Sequence, residues 1–132
     1  MADRETELAY SLGTVKPFAD VVATLEDKVA EHKFRVLAVH DVQKTLAEKG
    51  LTRGPLKIIE VCNAVFAHQA LQKDVDVAMF MPCRFTVHTD GARTYITLAR
   101  PTMIAQMMPG IGLEPLATEV ETTLKKVMEE VV

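Results

Sequence analysis

The run Leu56–Cys62, Leu-Lys-Ile-Ile-Glu-Val-Cys, constrains this chain more than any other stretch. It is short, β-branched and bounded by Pro55 and Asn63, which makes it a strand. Its near-continuous apolar character predicts burial on both faces. Asn63 is a good helix cap, so the strand passes directly into a helix reaching about Lys73, with Val65, Phe66, Leu71 and several alanines turned inward.

The flanking segments obey the same logic. Leu8, Tyr10 and Leu12 alternate within a first strand over Leu8 to Val15, punctuated by Pro17. Phe18, Val21, Val22, Leu25 and Val29 recur at helical spacing up to about His32. Phe34 to His40 reads as a second strand, and Asp41 caps a short helix over Val42 to Lys49 that Gly50 stops. Beyond the central helix, Val77 to Thr89 reads as a fourth strand with Met79, Met81, Cys83, Phe85 and Val87 on one face, and Pro82 at a bulge or sheet edge. Asp90-Gly91 supplies a hairpin turn into a fifth strand over Arg93 to Leu98. A short helix over Thr102 to Met108 and a long one from Pro115, striped by Leu116, Val120, Leu124, Val127 and Val131, complete the chain.

This order predicts one α+β domain over residues 1–132, with helices on one face of a curved, mainly antiparallel or mixed sheet of about five strands. A chain of 132 residues leaves no room for two independent cores. With five Phe, two Tyr and no Trp, the core must be largely aliphatic, with methionine filling gaps. A net charge of −3 without clustered Lys and Arg lowers the expectation of nucleic-acid binding. The charged amino terminus lacks a signal-peptide core and no run is long enough to span a bilayer, so a cytoplasmic protein with reduced thiols is expected.

Chemistry concentrates near the two cysteines. Cys62 stands at the start of a helix, where unpaired N–H groups and the helix dipole favour an anion and lower a thiol pKa. Glu60, two residues earlier on the same strand face, is a proton partner or an opposing charge. Asn63 offers an amide to a bound anion, although capping its own helix is the more ordinary use. Arg84 offers a planar fork for an anion or carboxylate, the ordinary alternative being a salt bridge. His68 is a candidate base on the central helix. Met79, Met81 and Cys83 on one strand face would be soft ligands for Cu(I), but a methionine-padded core is the ordinary reading, and neither a metal nor a cofactor is expected. No CxxC, P-loop, HExxH, GxSxG or Rossmann fingerprint is present.

The residues Ile58-Ile59-Glu60-Val61-Cys62-Asn63, then Ala67-His68-Gln69-Ala70-Leu71 and Pro82-Cys83-Arg84, resemble the family catalogued as domain of unknown function 302. Phe34-x-Val36-Leu37 and Asp41-Val42-Gln43-x-Thr45-Leu46-x-x-Lys49-Gly50 fit the same pattern, so the resemblance spans roughly Val15 to Pro101. It implies a small α+β domain looking like a TATA-binding-protein-type half, often a homodimer, and no established reaction. Members usually carry glycine where Lys33 stands, which bears on how tightly the first helix closes.

Together these readings lead to a homodimeric ligand-binding or sensory module. Its pocket, bordered by Glu60, Cys62, Asn63 and Arg84, would take a small anion or amphipathic molecule. The alternative is a thiol-dependent redox or sulfur-transfer protein with Cys62 as nucleophile and Glu60 or His68 as proton partner.

Overall fold

The computed structural model describes residues 3–132. Six strands form one antiparallel sheet: β1 (Arg4–Glu5), β2 (Ala9–Thr14), β3 (Arg35–Asp41), β4 (Leu56–Cys62), β5 (Cys83–Asp90) and β6 (Arg93–Ala99). Their spatial order is β1-β2-β6-β5-β4-β3, and every neighbouring pair is antiparallel. The fold is α+β, as the element order predicts. The additional strand, β1, is two residues long and charged, so it carries no period-2 apolar signal.

Alternation along the strands divides the sheet into two unlike faces. Tyr10, Leu12, Ile59, Phe85, Ile96 and Leu98 are buried on one of them. Against this face pack α1 (Phe18–Glu31), through Val21, Leu25 and Val29, and α5 (Glu114–Val131), through Leu124, Val127 and Val131. Residues of opposite parity, such as Ile58, Glu60, Thr86 and Thr97, are only partly buried, and Arg84 is exposed. The expectation that β4 is buried on both faces is therefore corrected. Ile58 made the run look continuous, but only Ile59 and Val61 of β4 reach the core.

The second correction lies before β5. Residues Val75–Phe80 form a 3-10 helix rather than the start of a strand. The Asp74 carboxylate accepts from the Asp76 backbone N–H at 2.8 Å, a local turn-forming bond that competes with extended pairing. The Met81-Pro82 peptide is cis, and pairing with β4 begins only at Cys83. Met79 consequently leaves the predicted strand face and is 79% exposed. The Met79, Met81, Cys83 ligand row does not exist as one face.

Two junctions fix the ends of the elements around the cysteines. At the end of α1, Lys33 takes a left-handed backbone (φ 70°), its N–H bonds the Ala30 carbonyl, and the Phe34 N–H bonds the Val29 carbonyl. The helix closes as it would with glycine, at a steric cost borne by a Cβ-bearing residue. At the end of β4, the Asn63 Oδ1 accepts from the Phe66 N–H at 3.1 Å and caps α3 (Ala64–Lys73). The same amide donates through Nδ2 to the Lys33 carbonyl at 3.0 Å. One side chain thus ties the start of α3 to the turn after α1. Among the described residues no helix is long and apolar enough to cross a membrane.

Candidate functional site

β4 and β5 end side by side, with Val61 opposite Cys83 and Glu60 opposite Arg84. This register, with alternation, sends the predicted site residues in two directions. Val61 and Cys83 face the helical layer. Glu60 and Arg84 face the other way and hold each other, Arg84 Nε to Glu60 Oε2 at 3.3 Å. His40, reaching across from β3, places Nε2 3.0 Å from Glu60 Oε1. Glu60 is held below the usual carboxylate range: the His40 hydrogen bond is the largest cause, burial opposes it, and the nearby charges of His40 and Arg84 add to the lowering. This trio is an ion-pair network on the more open sheet face.

On the helical side lies a cavity of about 80 Å³ that opens to solvent. Its floor is Val61, Cys83 and the end of β4. Phe34, Phe66 and Ala67, then Phe80, Met81 and Pro82, and Leu116, Ala117 and Val120 of α5 also line it. No Asp, Glu, Lys, Arg or His is among its lining residues. The space is several times a water's need of about 10–15 Å³.

Cys62 and Asn63 border this cavity; Glu60, Arg84 and His68 do not. Burial pushes the Cys62 thiol above its ordinary pKa. Burial, rather than the start of α3, sets the direction of the shift. Cys83 is pushed up to about 11, by burial first and by its proximity to Cys62 second, with Arg84 pulling weakly in the other direction. Both sulfurs are therefore neutral thiols at neutral pH. Asn63 commits its oxygen to the Phe66 N–H and one of its two amide hydrogens to the Lys33 carbonyl, which leaves a single neutral N–H for any further partner. His68 is exposed on α3.

Sequence reasoning passed over the residues that shape the cavity. Phe34 read as the head of a strand, Phe80 and Met81 as strand positions, and Leu116 and Val120 as a core stripe. Only the phenylalanines offered a signal: three of the five in the chain, Phe34, Phe66 and Phe80, meet here, although they are far apart in sequence. Among the described residues, no group of three or more His, Cys, Asp or Glu is placed to hold a metal.

An α+β domain with a six-stranded antiparallel sheet and one small apolar cavity beside paired strand ends is thus defined. The chain belongs to the family described as Domain of unknown function DUF302, whose model matches residues 10–131. It is similar to a solved structure described as the crystal structure of an uncharacterized conserved protein DUF302 from Bacillus stearothermophilus. The two share 28% identity and a TM-score of 0.91, over 96% of this chain and 100% of that one. No curated protein matches this chain.

Proposed function

We propose that the protein is a non-catalytic ligand-binding or sensory domain, acting as a homodimer, that holds the apolar part of an amphipathic molecule in the cavity beside Cys62. The observation that carries this reading is the cavity itself: apolar, open to solvent and without a charged side chain in its lining. Of the two ligand classes the residues suggested, the amphipathic one is favoured. A small anion would not meet the Arg84 guanidinium, which Glu60 holds on the opposite face, and would have only the second Asn63 amide hydrogen to bind it. The homodimer is supported by the outer edge of β3, where Leu37 and Val39 are exposed beside unpaired backbone groups. A cytoplasmic setting suits the two free cysteines.

Native mass spectrometry of protein purified from its own host tests the reading. The expected result is a dimer mass carrying a small organic molecule that Ala67→Phe, which fills the cavity, no longer retains. A monomer that carries nothing, from wild type and variant alike, overturns it. The thiol-redox alternative needs a Cys62 that is alkylated quickly in the native protein at neutral pH, and its raised pKa weighs against that.

A further inference from the structure

The cavity has a chemical character narrower than apolar. Phe34 and Phe66 stand with ring centroids 6.0 Å apart and planes tilted by 40°. Phe80 is a third ring on the wall, and Met81, Cys62 and Cys83 bring three sulfurs to the same space. Tilted ring pairs accept a further ring edge-to-face, and divalent sulfur favours the edge of an aromatic ring at about 5 Å. A linear alkyl chain gains neither of these contacts.

The lining disfavours charge. No ionisable group other than the two thiols lines the cavity, and both thiols are held neutral. Asn63 gives one amide hydrogen to Lys33 and its oxygen to Phe66, so it offers at most one neutral donor and no charge. A carboxylate or ammonium carried inside would lose its hydration without a charged partner, which costs several kcal/mol or more. Size sets a limit too. A cavity of about 150 Å³ is known to accommodate benzene, and this one, at about 80 Å³, is smaller but open on one side. One ring is the most it could take, with the flexible Met81 thioether giving way and any polar substituent left at the mouth.

We infer that the buried part of the ligand is a single uncharged aromatic ring, seated between the Phe34–Phe66 pair and the Met81–Cys83 wall. This rests on the ligand-binding reading above and specifies its occupant.

The test uses full-length protein with methyl-labelled methionine, titrated separately with toluene, benzoate and heptane and followed by NMR. With toluene, the Met81 methyl shifts saturably while the exposed Met79 and Met107 methyls stay in place; benzoate and heptane give at least tenfold weaker binding. Ala67→Leu and Ala67→Phe narrow the cavity by different amounts, and whichever variant folds abolishes the Met81 shift. Benzoate binding as tightly as toluene overturns the uncharged class, and heptane binding as tightly overturns the ring; in both cases the ligand-binding reading survives. If none of the three probes moves Met81, the ring inference falls. If, in addition, the host-purified protein retains no molecule, the ligand-binding reading falls with it.

Discussion

Replacing Glu121 with glutamine should remove a large share of the stability of this domain, and should do so in a pH-dependent way. Glu121 lies on α5, is 4% exposed, and ties that helix to the start of the helix before it. Its Oε1 accepts from the Thr102 N–H at 3.2 Å and the Thr102 hydroxyl at 2.7 Å, at the start of α4 (Pro101–Met107). Its Oε2 lies 3.1 Å from an Arg100 terminal nitrogen and 3.0 Å from Lys125 Nζ. Burial alone would raise the carboxyl pKa, but the bonds from Thr102, Arg100 and Lys125 outweigh it and hold the group at about 2. The folded value lies below the unfolded one, so the stabilisation is complete above the unfolded pKa, near pH 5.5 and higher. It is lost as the pH falls from there towards 2.

A displacement of roughly 2.5 pKa units corresponds to about 3 kcal/mol at pH 7. Glutamine keeps the shape but not the charge, and its amide group sets a donor against the donors it faces. Urea unfolding of wild type and Glu121→Gln at pH 7 and pH 3 measures the effect, other carboxylates cancelling in the difference. A gap of about 3 kcal/mol at pH 7, shrinking to less than half at pH 3, is expected from linkage. A gap under about 0.5 kcal/mol at pH 7, or one that does not change with pH, would refute the reasoning.

The same geometry sets further outcomes. Lys33→Gly should raise the urea midpoint by the equivalent of about 1 kcal/mol, because the left-handed backbone at φ 70° penalises a Cβ; no gain would mean that Lys33 is not strained. Asn63→Ala should cost about 2 kcal/mol, since it removes both the α3 cap and the tie to the Lys33 carbonyl, and a loss below about 0.5 kcal/mol, on the scale of a weak cap, would count against the double role. Gly13→Ala should destabilise by about 1–3 kcal/mol, since an added Cβ would lie 2.8 Å from the Tyr95 ring and 2.9 Å from Arg93, and unchanged melting would show that those side chains swing away freely. Iodoacetamide should label native Cys62 and Cys83 far more slowly at pH 7 than the unfolded chain, with Cys83 the slower of the two; fast native labelling would reopen the thiol chemistry.

Much of the architecture was legible because local patterns and tertiary demands agree in it. The Asn63 and Asp41 caps, the Asp90-Gly91 turn and the Leu116–Val131 stripe act over a few residues, and each is found in the structure where the residues put it. The failures came where the pattern was local and the cause was not. Met79 and Met81 fit a strand period, yet the Asp74 turn and the late start of β4–β5 pairing put them in and after a 3-10 helix. Ile58 looked like core, but only the position of the helical layer decides which parity of β4 is covered.

The site divides in the same way. By itself the sequence determined that the chemistry-bearing residues gather at the junction of β4 and α3 and at the head of β5, because residue type and cap signals are local properties. It could not determine that Glu60 and Arg84 would neutralise each other away from Cys62. That outcome is set by the β4–β5 register, which pairs residues more than twenty positions apart. Nor could it assemble Phe34, Phe66 and Phe80 with α5 into a cavity that keeps both thiols protonated. Desolvation depends on what other elements bring to a point in space, and only tertiary packing sets it.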